Sequence, residues 1–169
     1  MENLVENISK SVAIELLFEE MPTRPTANAI FREARKIFGD INIINRDEND
    51  IEFSVDKFVA YNEDNTTSPV VLAMGNITDF DDKVAVSEFE RTQIWNVVNS
   101  EELLSKYKYA VKIWDVNAQR QIPKERAIML VDWLNVALKL YPKCQAIWIK
   151  SAGKLQLAQS IKNLKETGI

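Results

Sequence analysis

Apolar residues follow two rhythms along this chain, and the switches between them mark out its elements. Val12–Phe18 is apolar at every position except Glu15, the pattern of a strand covered on both faces. Met21-Pro22-Thr23-Arg24-Pro25-Thr26 reads as a turn. Thr23 or Thr26 can cap the helix that follows, because a hydroxyl oxygen accepts a hydrogen bond from a free backbone N–H. Ile30, Phe31, Ala34, Ile37 and Phe38 then recur at helical spacing, and Gly39 is a suitable terminator. Ile41–Asn45 is a short strand. Ile51–Val55 alternates with period two, as a half-exposed strand does, and the pattern can be followed through Phe58–Tyr61 after a kink at Asp56-Lys57. The polar run 62–68 is a turn, and Pro69, which has no N–H, marks the edge of a strand over Val70–Met74.

Before the second half comes an acidic loop over Thr78–Lys83, which does not match the D-x-[DN]-x-[DN]-G pattern with its twelfth-position glutamate that an EF-hand calcium loop requires. Ser87 with Glu90 three residues on forms a capping box. The helix it starts, from about Glu88 to Val98, is expected to bury Phe89, Ile94 and Val97, with Trp95 as a further candidate. A short helix over Ser100–Ser105 carries acids in its first turn. Tyr107–Val116 is a strand, Pro123 begins a long helix to about Leu140, Cys144–Lys150 is a last strand, and Gln156–Lys165 a last helix.

Laid out at helical spacing, the polar residues Asp132, Asn135 and Lys139 of the long helix occupy one narrow wedge, and apolar residues fill most of the remainder. An ordinary surface helix carries an apolar stripe only somewhat wider than about 100°. Either this helix lies between the sheet and another element, or its Met129, Trp133, Val136 and Leu140 side meets another chain. The element order predicts one α+β domain over residues 1–169: a mixed sheet of five or six strands, with helices packed mainly on one face. The most apolar strands, Val12–Phe18, Tyr107–Val116 and Cys144–Lys150, belong at its centre.

Composition narrows the chemistry. The 169 residues include no histidine and one cysteine, Cys144. Triads and dyads that need an imidazole base, and zinc sites built on imidazole, are therefore excluded. Cys144 can form no internal disulfide, opens an apolar strand, and reads as a small hydrophobe. Hydrophobic residues at 46% and charged residues at 27% are ordinary for a globular domain of this size. The N-terminal stretch has no basic region and Glu15 interrupts its apolar run, so neither a signal peptide nor a membrane span is expected, and the cytoplasm is the default location.

Charge is unevenly placed. Residues 1–90 carry 19 acidic and eight basic groups, net −11; residues 91–169 carry six acidic and 13 basic groups, net +7. This asymmetry marks either a basic surface that meets an anion or two halves that attract each other across one domain, and the two halves are expected to form opposing surfaces of one body. The basic residues are scattered and the isoelectric point is about 5.0, so nucleic acid is not an expected partner.

Four stretches together carry a family resemblance: Gln93-Ile94-Trp95 on a helix; Ala110-Val111-Lys112-Ile113-Trp114-Asp115 on a strand ending in an acid; Arg126 early in the long helix; and Cys144-Gln145-Ala146-Ile147-Trp148-Ile149-Lys150-Ser151. With Val12–Phe18 as first strand, the chain resembles a bacterial family catalogued only as domain of unknown function 4261. It departs from that pattern at Lys106-Tyr107-Lys108-Tyr109, where relatives often carry a histidine. The resemblance implies a shared α+β fold and no activity, since the family has none established.

Asp115, Arg126, Trp148 and Ser151, with Trp95, are the candidate binding residues. Strand ends and a helix start often meet at one sheet edge, and a carboxylate, a guanidinium and an indole would suit a small polar ligand. The same residues are equally explained as a salt bridge, Asp115 with Arg126, and a core tryptophan. Ser151-Ala152-Gly153-Lys154 lacks the first glycine and the final hydroxyl of a phosphate-binding loop. No catalytic residue, metal ligand or cofactor is assigned. The functional expectation is a non-catalytic binding or interaction module, accessory or immunity-type, with a protein partner or a second copy of itself. The alternative is an enzyme using carboxylates or a bound metal, such as a small hydrolase, for which a carboxyl pair in a cleft would speak.

Overall fold

The computed structural model of the protein describes residues 11–161. Its centre is one seven-stranded sheet formed by β1 (Ala13–Phe18), β2 (Ile41–Arg46), β3 (Asp50–Tyr61), β4 (Thr67–Asp79), β5 (Tyr109–Val116), β6 (Ala146–Ile149) and β7 (Lys154–Leu157). The strand order is β2-β3-β4-β5-β1-β6-β7, and every neighbouring pair is antiparallel. The fold is α+β, as expected, but the sheet is antiparallel rather than mixed and has seven strands rather than five or six. The continuous apolar run of β1 does not require parallel neighbours, only a cover on each face. The extra strand is β7, which lies at the start of the helix expected over Gln156–Lys165; residues 158–161 are helical, and the rest of that segment lies outside the described residues.

Side chains on a strand point alternately to opposite faces, and the two faces of β1 belong to different cores. Ile14, Leu16 and Phe18 join the larger core, under α1 (Ala27–Phe38) and α5 (Pro123–Leu140). Leu17 joins a smaller core with Phe80, Val86, Ile94, Leu104, Ala146 and Trp148. That second cover comes from residues 80–107, with three short helices: α2 (Asp82–Ala85), α3 (Glu88–Gln93) and α4 (Ser100–Lys106). The two long helices therefore share one face, and the short ones cover part of the other.

The ends of the long helices follow local chemistry. The Thr26 hydroxyl accepts from the Ala29 N–H, Gly39 ends α1 at φ 73°, and Pro123 sits in the first turn of α5. Trp133 shows why α5 is apolar on more than one side. It is fully buried, donates its indole N–H to the Ala73 carbonyl at 3.1 Å, and meets the Phe53 ring edge-on at 5.2 Å. Met129, Trp133 and Val136 are all buried within this chain and Leu140 is half-buried. These four candidate interface residues belong to the chain's own core, because α5 is packed between the sheet, α1 and the residues around Ala158 and Ile161.

The charge halves meet rather than separate. β1, from the acidic half, lies between β5 and β6 of the basic half. Ion pairs then join the halves: Glu33 to Lys139 at 2.7 Å, Glu63 to Arg120 at 2.9 Å, and Glu90 to Lys150 at 2.9 Å. These pairs realise the second alternative, attraction between the two halves across one domain. Glu33 is the most fully engaged of these acids: Lys139 of α5 and Lys36 of α1 both hydrogen-bond its carboxylate and lower its pKa to about 2.

Two outcomes are expected from this packing. Trp133→Ala removes a buried indole and orphans a carbonyl, and should lower unfolding stability by about 3–5 kcal/mol in a denaturant titration. Glu33 has a folded pKa below its unfolded value, so its contribution is complete above about pH 4.5 and fades as pH falls toward 2. Glu33→Gln should accordingly lower the melting temperature at pH 7 and change it much less near pH 2.

Candidate functional site

The short helices over the second sheet face have too few residues to be stable alone, and polar fastenings hold them. The Asp81 side chain caps α2. Ser87 and Glu90 complete the expected capping box on α3. Arg91 of α3 donates to both the backbone carbonyl and the carboxylate of Asp82, tying α3 to α2. Three contacts then fasten this layer to the β6–β7 hairpin. Glu90 pairs with Lys150. The Asn96 amide donates to the Leu155 carbonyl and its oxygen accepts the Leu155 N–H, so one side chain satisfies both outward groups of an edge-strand residue. Gly153, at φ 57°, lets the hairpin turn come so close that an added Cβ would lie 2.6 Å from the Gln93 carbonyl oxygen.

Between layer and hairpin lies a cavity of about 530 Å³. α3 supplies Phe89, Glu90 and Gln93; Trp95 follows it; Trp148 and the turn from Lys150 through Gly153 complete the wall. Trp148 is only 2% exposed, whereas Phe89 is 72% and Trp95 76% exposed. Lys150 lies over the Trp148 ring at 5.8 Å while it pairs with Glu90. Three of the five candidate binding residues, Trp95, Trp148 and Ser151, thus come together.

Asp115 and Arg126 do not join them. Asp115 follows Val111 and Ile113 at period two, which places it on the α1–α5 face, whereas Trp148 belongs to the opposite core. The Asp115 side chain is 0% exposed. It accepts Arg126 Nε at 2.7 Å, Arg126 Nη2 at 2.9 Å and the Val12 N–H at 2.7 Å. A bidentate pair of this kind locks the start of α5 to the end of β5, and removing one partner leaves a buried charge unmatched. Its role is structural, and the expected convergence of all four residues fails because the pleat sends them to different faces.

Phe89 and Trp95 also depart from expectation. The helix expected to reach Val98 ends at Gln93, with Trp95 beyond its end, and Phe89 within it also points outward instead of being buried. The break comes where Asn96 leaves helical geometry to bind the β7 edge. Ile94 is buried as expected.

One group beside the cavity carried no role in the sequence reading. Glu15 pairs across the sheet with Trp148 and with Lys112, and its Oε2 is buried without a hydrogen-bond partner. Burial pushes its pKa up; Lys112 and Lys150 pull it back, and Glu90 adds to the rise. Glu90 itself is lowered, chiefly by the Ser87 N–H and then by Lys150. The one sequence signal for Glu15 was its isolation in an otherwise apolar strand.

The cavity therefore offers aromatic surface and one satisfied ion pair, with one under-satisfied carboxyl, Glu15, on the strand beside Trp148. Ser151 has no imidazole in the chain to activate it. Among the described residues no group of three or more histidines, cysteines, aspartates or glutamates is placed to hold a metal ion, and no helix is long and apolar enough to cross a membrane. Cys144 is buried, as expected. Compared with family models, curated proteins and solved structures, the chain finds no match.

Because the folded-state pKa of Glu15 is raised, its ionised form weakens the fold above that pKa, and the penalty disappears below about pH 4.5. Glu15→Gln should raise the melting temperature at pH 7, and this gain should shrink as thermal melts are repeated toward pH 4.

Proposed function

We propose that this protein is a non-catalytic binding module that engages a macromolecular partner through the layer over the second sheet face. One observation carries the reading. Among the described residues, the four most exposed large hydrophobic side chains are Val84, Phe89, Trp95 and Val98, all within 15 consecutive residues. Scattered apolar residues are normal at a surface, but a cluster marks an interaction site, and exposed tryptophan is among the commonest anchors of binding energy. Trp95 stands beside a cavity that could take part of a partner's side chain. The resemblance to the domain of unknown function 4261 family belongs with this proposal, resting on the residues quoted above; it adds a fold expectation and no reaction. A cytoplasmic location is likewise part of the proposal, supported by the single buried cysteine.

The enzymatic alternative has one observation in its favour: Glu15 and Glu90 are shifted in opposite directions beside an aromatic cavity. Against it, Glu90 is occupied by Ser87 and Lys150, and Glu15 is not among the residues lining the cavity.

Purification of the tagged full-length chain from its native cells, beside a Phe89→Ala/Trp95→Ala double variant, tests the proposal. A partner, or a second copy seen by sizing chromatography, should be retained by the wild type and reduced at least roughly tenfold in the variant. Identical retention by both, or substrate turnover abolished by Glu15→Gln, would overturn it.

A further inference from the structure

We infer that the partner segment received by this surface is basic and amphipathic: a protein segment with lysine or arginine beside apolar anchors. The inference rests on the binding-module reading above and adds the chemistry of the occupant. The exposed apolar residues stand in an acidic setting. From Asp79 to Glu102 the chain carries seven acidic residues and only two basic ones, Lys83 and Arg91.

Internal pairing leaves that imbalance in place. Arg91 is held by Asp82 at 3.0 Å, and Glu90 is matched by Lys150 from the hairpin. Glu102 has only Lys106, at 3.9 Å. No cation among the described residues lies within ion-pairing distance of Glu88 or Glu101. Those two glutamates border both a cavity of about 750 Å³ between α3 and α4 and a neighbouring one of about 440 Å³, while Val98 lines the larger. Val98 and these carboxylates therefore share one cavity, while Phe89 and Trp95 line the cavity on the hairpin side of α3.

Complementarity follows from ordinary electrostatics. An acidic partner would bring like charges against Glu88, Glu101 and Glu102, whereas a basic one relieves their repulsion and is steered in from a distance. Trp95 adds a second attraction for the same partner, since a guanidinium or ammonium stacks favourably on an exposed indole face. An anionic nucleic acid or an anionic membrane surface is disfavoured by the same charges.

The test uses the full-length protein with two synthetic peptides of identical apolar pattern, one of leucine and lysine at helical spacing and one with glutamate replacing every lysine. Binding is followed by tryptophan fluorescence and by backbone amide shifts. The expected result is that only the lysine peptide binds, with shifts confined to residues 80–107 and the hairpin turn 148–153 that lines the Trp95 cavity. Its affinity should fall several-fold when ionic strength rises from about 0.05 to 0.3 M, and roughly tenfold in Glu88→Lys/Glu101→Lys and in Trp95→Ala. Circular dichroism establishes that these surface variants are folded, and Asp40→Lys, an exposed charge reversal beyond α1, should leave binding unchanged. Equal binding of both peptides would overturn the inference while leaving the binding-module reading standing. Shifts outside 80–107 and 148–153, or binding indifferent to Glu88→Lys/Glu101→Lys, would also overturn it. So would binding of neither peptide; if the protein then self-associates in a Trp95-dependent manner, the occupant is a second copy.

Discussion

The structure turns on β1 having no face to give to water. It lies between β5 and β6, and five of its six residues are apolar, pointing alternately into two separate cores. An antiparallel sheet can usually leave one face solvated, but a sheet whose interior strand is apolar on both faces must be covered twice. Two long helices cover one face. The chain covers the other with residues 80–107, inserted between β4 and β5, which are themselves neighbours in the sheet.

That second cover differs in kind from the first. α1 and α5 carry broad apolar faces and are held by burial, with Trp133 reaching the Ala73 carbonyl at the centre. α2, α3 and α4 have four, six and seven residues and contribute few side chains to a core. Their placement rests on Arg91, Glu90, Asn96 and the close approach at Gly153. Because polar contacts supplement a small core there, four of its large apolar side chains, Val84, Phe89, Trp95 and Val98, stay at the surface. Phe89, Trp95 and Val98 are outward in that layer, and the proposed binding surface is a by-product of how the second face is closed.

Charge plays two parts. Across the domain it joins halves of opposite net sign: Glu33 joins α1 to α5, and Glu90 joins α3 to the hairpin. Within the second layer the acids outnumber the nearby cations, and Glu88 and Glu101 form no ion pair among the described residues. The same composition thus yields structural ion pairs in one place and an uncompensated negative field in another. Glu15, between Trp148 and Lys112, belongs to neither group, since its buried oxygen is unbonded and its proton is held more tightly than usual.

Local chemistry by itself determined most of the elements and several of their ends. Thr26, Gly39, the Ser87–Glu90 box and Pro123 act through backbone groups one turn away, so they were readable before any contact was known. The three most apolar strands are adjacent in the sheet, because a strand buried on both faces must be apolar at nearly every position. Asp115 with Arg126 was legible as a pair, but not the face on which it lies. Tertiary structure alone decided the strand order, the existence of β7 and the outward turn of Phe89 and Trp95. A four-residue strand such as Lys154–Leu157 carries no distinctive period and forms because β6 offers a free edge, while α3 stops at Gln93 because Asn96 is engaged by Leu155, 59 residues away. Neither interaction leaves a trace in local pattern, since each partner's preference is satisfied only by a residue far along the chain.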